Sequence, residues 1–95
     1  MRVITNRRLL EFSATHQDAS GPLQVWRKAM GSTEFNSFAE LRVVFGSMDK
    51  VGDLHVFNIA GNKYRLITYL RFDRQLCYIK QVLTHTEYDK GAWEK

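Results

Sequence analysis

Residues 56 to 67, with the sequence VFNIAGNKYRLI, carry the strongest local structural signal in the chain. Both halves of this segment are rich in β-branched and aromatic residues, which favour strands. Gly61 and Asn62 lie between the halves, and both residues tolerate the positive φ of a two-residue hairpin turn. The segment therefore predicts a β-hairpin whose register is set by this turn.

The predicted register places Asn58 opposite Arg65 and gives the two faces of the hairpin different chemistry, because side chains alternate along a strand. One face is apolar and comprises Phe57, Ile59, Tyr64 and Leu66. The other face carries Asn58, Lys63 and Arg65, with Val56 and Ile67 farther from the turn. We expect the apolar face to pack against helices that carry Leu9, Leu23 and Trp26, and the polar face to bind an anion.

Helical and strand patterns surround the hairpin. Apolar residues recur at helical spacing in three segments: residues 6 to 16, residues 21 to 31 with Pro22 in the first turn and Gly31 at the end, and residues 38 to 45 after a capping box at Ser37. Strand patterns cover residues 3 to 4, the continuation of the hairpin to residue 70, and residues 76 to 83, whereas residues 47 to 53 are predicted to be a loop. These patterns predict an α+β fold, with a small antiparallel sheet of three to four strands and the N-terminal helices packed on one face.

Length and charge narrow the classes of function. The 95 residues predict a single domain, residues 1–95, with no room for a separate cofactor domain. The 14 Lys and Arg residues against 10 Asp and Glu residues give a formal net charge of +4, which favours a polyanionic partner. Cys77, the only cysteine, excludes an internal disulfide and is expected to be a buried thiol. Because no apolar run is long enough for a signal peptide or a membrane span, we expect a cytoplasmic protein.

The sequence lacks GxxxxGK[ST], GxGxxG and HExxH, and it has no Cys or His pair at zinc-ligand spacing. Candidate functional residues are therefore basic side chains with one histidine and one tyrosine. The segment from Lys63 to Lys80 is the most positive, with five basic residues and one acid. The candidate RNA-binding residues are Lys63, Arg71, Lys80 and Lys90, with His55 and Arg74 as weaker candidates.

The sequence THTE, residues 84 to 87, is a second capping-box pattern and predicts a short helix after the last strand. His85 opens this helix, and Tyr88 lies one turn later on the same side. Free N–H groups at a helix N-terminus suit a phosphate. Both side chains could instead pack against the sheet without any chemical role.

A basic surface with one histidine and one tyrosine suits RNA cleavage, because RNA supplies its own nucleophile, the 2′-hydroxyl. In this hypothesis Arg65 binds phosphate oxygens, His85 transfers a proton, and Tyr88 orients or stacks on a base. We expect Arg65 and His85 to be partly exposed and to converge with Tyr88, with Lys63 near the edge. The same residues would serve a protein that only binds RNA or the ribosome, or a module that binds an acidic partner protein.

Strict alternation in a regular sheet opposes this convergence. A two-residue turn at Asp73-Arg74 would pair Arg65 with Val82 and direct His85 to the other face. A helix that starts at Thr84, or an odd-length turn with a β-bulge, removes the conflict. We expect one of these.

The segments VFNIAGNKYRLI and VLTHTEYDK resemble the HigB-type toxins, a branch of the RelE superfamily of toxin–antitoxin modules. The similarity extends to the opening MRVI, the helix with Trp26 and the segment NSFAEL, and so covers nearly the whole chain in the same order. The resemblance implies a RelE-like toxin that cleaves messenger RNA, in many members on the ribosome, without a metal or an organic cofactor. It also implies neutralisation by a cognate antitoxin with a helix-turn-helix domain.

The resemblance also implies roles for particular residues. The basic sheet residue of the family corresponds to Arg65, its C-terminal polar residues correspond to His85 and Tyr88, and Lys63 matches the GNK of the motif. Many relatives carry another basic residue just before VFNI, where this chain has Leu54-His55. A phosphate contact from that edge therefore requires His55.

Overall fold

The computed structural model describes residues 1–91 and 93, which form one sheet with helices packed against it. The elements in chain order are β1 (Arg2–Ile4), α1 (Asn6–Thr15), a 3-10 turn (Gln17–Ala19), α2 (Ser20–Ser32), α3 (Phe38–Val44), β2 (Asp49–Val51), β3 (Leu54–Ile59), β4 (Tyr64–Arg71), β5 (Leu76–Thr84) and α4 (His85–Asp89). This arrangement confirms the α+β class. In the part of the chain that the structure describes, no helix has the length and apolar composition needed to cross a membrane.

The sheet is larger than predicted, and it is mixed. Its strand order is β1-β5-β4-β3-β2, five strands where three to four were expected. β1 lies parallel to β5, and the other neighbours are antiparallel. β2 falls inside the segment predicted to be a loop, because its sequence, DKV, has weak intrinsic strand preference and the strand forms through pairing with β3.

The predicted register of the central hairpin is confirmed. Asn58 pairs with Arg65 across β3 and β4. The turn is closed by a hydrogen bond of 3.3 Å from the Lys63 amide to the Ala60 carbonyl. Gly61 has a φ of 68°, a conformation that glycine adopts without steric cost. The second positive φ of the turn, 55°, belongs to Ala60 and not to Asn62, which differs from the turn expected from the sequence.

The predicted apolar face of the hairpin lies in the core. Its four residues, Phe57, Ile59, Tyr64 and Leu66, are all buried, together with Leu9, Leu23 and Trp26 from the helices. The rings of Trp26 and Phe57 meet edge to face with centroids 5.3 Å apart, a favourable aromatic geometry. Trp26 is therefore a core residue.

The helix boundaries differ from the predicted ones in detail. The predicted end of α2 at Gly31 is wrong, because the helix continues to Ser32 and the extended backbone of Thr33 ends it. A glycine stops a helix when it adopts a left-handed conformation, and Gly31 does not have a positive φ. Ser37 caps α3 by accepting from the Glu40 amide at 3.2 Å, as predicted. The Glu40 carboxylate, however, accepts from the amide before Ser37 and leaves the capping box incomplete.

A β-bulge in β5 decides which residues face the core beyond it. The pairing between β4 and β5 shifts by one residue at Lys80. Arg65 therefore pairs with Leu83 and not with Val82, and Val82 packs against the core. The conflict between alternation and convergence is thus removed by a bulge, and also by the start of α4 directly after β5.

The single cysteine lies in the core, as predicted. Cys77 is fully buried in β5. Burial raises the pKa of its thiol to about 12, so the thiol is uncharged and unreactive at neutral pH.

Leu66→Ala tests the assignment of the hairpin face. The change deletes a side chain with 0% exposure and leaves a cavity, so we expect a loss of about 2–5 kcal/mol in the free energy of unfolding. The matched control is Leu10→Ala, at a leucine that is 56% exposed, with an expected change within about 0.5 kcal/mol. Urea unfolding followed by tryptophan fluorescence measures both values. Equal losses in the two variants would contradict the assignment.

Candidate nucleic-acid site

Arg65 lies at the start of β4, on the face of the sheet opposite the helical core. Its Nη1 donates to the carbonyl oxygens of Asn62 and Tyr64, each at 3.2 Å. Its Nη2 donates to Oδ1 of Asn62 at 2.6 Å. The expectation that Arg65 is partly exposed is wrong, because the guanidinium folds back on the hairpin turn and the residue is only 8% exposed.

The capping box of α4 brings His85 to Arg65. The Thr84 hydroxyl accepts from the Glu87 amide at 3.2 Å, and the Glu87 carboxylate accepts from the Thr84 amide at 2.9 Å, which confirms the predicted box. This second hydrogen bond also lowers the pKa of Glu87. The His85 amide then donates to the Lys63 carbonyl at 2.9 Å. As a result, Nδ1 of His85 lies 3.0 Å from Nη2 of Arg65.

Tyr88 completes the cluster from the other end of α4. Its ring centroid lies 5.4 Å from Cζ of Arg65, within the range of a cation–π interaction. Its ring also stacks on Trp93, with centroids 4.9 Å apart, and the indole Nε1 of Trp93 donates to the Tyr88 carbonyl at 2.9 Å. The predicted convergence of Arg65, His85 and Tyr88 is therefore confirmed as geometry.

Lys63 lies next to this cluster in the chain, but its side chain is engaged elsewhere. Its Nζ lies 2.8 Å from Oδ2 of Asp18, and the Tyr64 hydroxyl donates to Oδ1 of the same carboxylate at 2.6 Å. The hydrogen bonds from Lys63 and Tyr64 lower the pKa of Asp18, and the Asp18 carboxylate raises the pKa of Lys63. Because Lys63 and Asp18 are 65% and 49% exposed, this ion pair is a weak one.

The other predicted RNA-binding residues are spread along the sheet. Arg71 ends β4, six residues from Arg65, which corresponds to about 20 Å of extended strand. Both ends of its guanidinium fork contact Asp73, at 3.0 and 2.8 Å. Because of this distance along β4, Arg71 belongs to a separate region of the surface. Lys80 is the bulge residue of β5, and Lys90 directly follows α4.

His55 does not face this site. It is buried on the core side of β3, with its ring centroid 5.9 Å from that of Phe38 and 5.8 Å from that of Phe72. Burial lowers the pKa of His55, and the nearby charge of Lys50 lowers it further. A phosphate on the face of the sheet that carries Arg65 therefore has no access to this imidazole.

Sequence reasoning missed three polar residues around the cluster. Asp89 Oδ2 lies 3.0 Å from Nε2 of His85, a contact between residues one helical turn apart. Asn62 was assigned only to the turn, although its amide oxygen also holds Arg65. Asp18 carries no local signal, since it meets Lys63 only through the tertiary fold. Within residues 1–91 and 93, no group of three His, Cys, Asp or Glu residues could hold a metal ion.

The fold and the cluster define a small α+β protein with an arginine, a histidine and a tyrosine gathered at one end of its sheet. The sequence profile of the HigB toxin family, described as the RelE-like toxic component of a toxin-antitoxin system, matches residues 19–91. The mRNA interferase toxin HigB of Escherichia coli strain K12 is 34% identical over 92 residues, which cover 94% of this chain and 88% of that protein. An mRNA interferase HigB of Shigella flexneri has the same identity and coverage. The chain therefore belongs to the HigB toxin family, as its sequence motifs indicated.

His55→Phe tests the buried role of this histidine through the pH dependence of stability. The folded protein disfavours the imidazolium, whereas the unfolded chain takes up this proton near the ordinary pKa of 6.5. The stability of wild-type protein should therefore be fully present above about pH 6.5 and fall as the pH drops through this value. In His55→Phe this part of the fall should disappear, because phenylalanine cannot titrate. Urea unfolding at pH 7 and pH 5 measures it, and an unchanged fall in the variant would contradict the buried role.

Proposed function

We propose that this protein is an RNA endonuclease toxin that cleaves messenger RNA in the cytoplasm, on the translating ribosome. The family match and the printed names of the relatives support the substrate class. The contact of 3.0 Å between Arg65 and His85 is the structural observation that supports the chemistry most directly. A toxin of this kind needs a cognate antitoxin, for which we propose a protein with a helix-turn-helix domain.

The proposed reaction uses the 2′-hydroxyl of the RNA as the nucleophile. This hydroxyl attacks the adjacent phosphorus, the bond from phosphorus to the 5′-oxygen breaks, and the products carry a 2′,3′-cyclic phosphate and a 5′-hydroxyl. His85 takes the proton of the 2′-hydroxyl, and Arg65 stabilises the charge on the phosphoryl oxygens. Tyr88 either stacks its ring on a base of the RNA or uses its hydroxyl in proton or phosphate chemistry. The protein supplies proton transfer and charge, so this mechanism requires no metal.

Phosphates away from the cleavage point would contact Lys63, Lys80, Lys90 and Arg71. Lys63 must first leave Asp18, which is feasible because exposed ion pairs contribute at most about 1 kcal/mol and a phosphate offers a charge-assisted hydrogen bond in exchange. Arg71 would contact a phosphate several nucleotides away, given its distance along β4. These contacts position the strand across the sheet.

His85→Ala tests the enzymatic role. The side chain is 46% exposed, so its removal opens no buried cavity, and the thermal unfolding midpoint should stay near that of wild-type protein. Loss of a general base should reduce messenger RNA cleavage on programmed ribosomes about 10²–10⁴-fold, with ribosome binding retained. Mapping of new RNA 5′ ends measures cleavage.

The same assay separates cleavage from inhibition by occupancy. A wild-type protein that blocks translation without new RNA ends would contradict the proposed function and favour a non-catalytic ribosome-binding protein. Tyr88→Phe assigns the tyrosine, since it keeps the ring and removes the hydroxyl. A large loss would assign the hydroxyl to proton or phosphate chemistry, and a small loss would assign the ring to stacking.

The salt dependence of RNA affinity tests the phosphate contacts. Each contact should contribute about −0.7 to the slope of log affinity against log salt for single-stranded RNA. Lys63→Met and Lys90→Met should therefore each flatten the slope by about this amount. Lys28→Met removes the same charge from α2, on the helical side of the sheet, and should leave the slope unchanged. A slope that both site variants leave intact would contradict the proposed path of the RNA.

A further inference from the structure

The terminal N–H groups of Arg65 all have acceptors within the protein. The two terminal nitrogens of a guanidinium carry four N–H groups. Those on Nη1 donate to the carbonyl oxygens of Asn62 and Tyr64, and those on Nη2 donate to Oδ1 of Asn62 and contact Nδ1 of His85. A phosphate can therefore bind the terminal N–H groups of Arg65 only by displacing one of these acceptors.

The two contacts of the His85 ring determine its tautomer. Arginine can only donate, so Nδ1 of His85 must accept and carries no proton. An ionised carboxylate can only accept, so Nε2 must donate its proton to Oδ2 of Asp89, 3.0 Å away. Both contacts agree on a neutral imidazole with its proton on Nε2. The lone pair that a general base requires is on Nδ1. In the free protein this lone pair accepts the hydrogen bond from Nη2 of Arg65.

We propose that Asp89 is a positioning residue that holds His85 in this tautomer. We also propose that the substrate phosphate frees the base, because a phosphate oxygen replaces Nδ1 of His85 as the acceptor of the hydrogen bond from Nη2 of Arg65. The inference rests on the proposed function, because it assigns an order of events to the same cleavage. Substrate binding and activation of the base then become one event.

His85 is the acceptor that a phosphate displaces most readily. The two carbonyl oxygens that accept from Nη1 belong to the backbone of the hairpin, and Asn62 Oδ1 makes the shortest of the four contacts, at 2.6 Å. His85 is on the five-residue helix α4 and is 46% exposed. The imidazole is neutral, whereas a phosphate oxygen carries negative charge and adds Coulomb attraction to the hydrogen bond from the guanidinium, so a phosphate competes well for the Nη2 donor.

The chemical step then balances without another reagent. The 2′-hydroxyl proton moves to Nδ1 as the bond from the 2′-oxygen to phosphorus forms and the bond from phosphorus to the 5′-oxygen breaks. The leaving 5′-oxygen takes a proton from solvent water. The resulting imidazolium donates to Asp89 through Nε2, which stabilises its charge, and it later returns the proton from Nδ1 to water.

Nitrogen NMR of the His85 ring tests the tautomer in the free protein. We expect an unprotonated Nδ1 and a protonated Nε2 at neutral pH. Addition of a single-stranded RNA with a 2′-methoxy group at every position, which cannot be cleaved, should shift the Nδ1 signal and leave Nε2 protonated. A proton on Nδ1 in the free protein, or an unchanged Nδ1 signal when fluorescence anisotropy shows that this RNA is bound, would overturn the proposal.

Asp89→Ala tests the positioning role. Asp89 is 59% exposed, so we expect a folded variant that binds the methoxy RNA like wild-type protein but has lost the preference for the proton on Nε2. Single-turnover cleavage should fall about 10- to 100-fold, the range found for carboxylates that orient a metal-bound histidine in the same way. Asp89→Glu should recover part of the cleavage rate and part of the preference for the proton on Nε2.

The matched control is Glu11→Ala. It removes a carboxylate of similar exposure, 64%, from another ion pair with this spacing, between Arg7 and Glu11 of α1. Tautomer and cleavage should both match wild-type protein. A cleavage loss in Asp89→Ala with an unchanged tautomer would overturn the positioning role. Wild-type protein with the expected tautomer and phosphate response but no cleavage of any RNA would instead overturn the proposed function and leave this inference standing.

Discussion

The hydrogen bond from the His85 amide to the Lys63 carbonyl joins the hairpin turn to the start of α4. The contacts that join Arg65 to His85 and Tyr88 depend on this junction, because Arg65 belongs to the hairpin and His85 and Tyr88 belong to the helix. The junction requires that β5 end beside the turn, where Thr84 pairs with Tyr64, and that His85 lie on the Arg65 side of the sheet. The bulge at Lys80 and the capping box at Thr84 meet this requirement together. If β5 had no bulge and continued as a strand past Thr84, Arg65 and His85 would lie on opposite faces of the sheet.

The parts of the fold that depend on short-range chemistry could be predicted from the sequence. Gly61 and Asn62 determine the turn, the turn determines the register, and alternation then assigns Phe57 and Leu66 to the core. Local spacing predicts both capping boxes. In the α3 box only the hydrogen bond from the Glu40 amide to the Ser37 hydroxyl forms, and the one from the Ser37 amide to the Glu40 carboxylate does not. The contacts of Thr84 and Glu87 need no tertiary partner, which explains why the start of α4 at His85 could be predicted from the sequence.

The parts that depend on distant partners could not be predicted. β2 has a polar sequence and exists only because β3 offers a free edge, and β1 runs parallel to a strand more than seventy residues later. The same limit applies to charge. The segment from Lys63 to Lys80 has five basic residues, but its composition does not reveal that Asp18 lies 2.8 Å from Lys63. Nor does a sequence show that Arg65 turns back onto Asn62 and becomes buried.

The four acceptors around Arg65 have a consequence for which residues this position tolerates. A lysine would keep the positive charge, but its ammonium group has three N–H donors at a single point and cannot reach acceptors that surround a planar fork. At least one buried acceptor near Asn62 would then lose its donor, and the aromatic ring of Tyr88 would lose the flat cation it covers. The shape of the guanidinium, more than its charge, therefore restricts this position to arginine. Two proteins of this family with the same net charge at this position would not be equivalent.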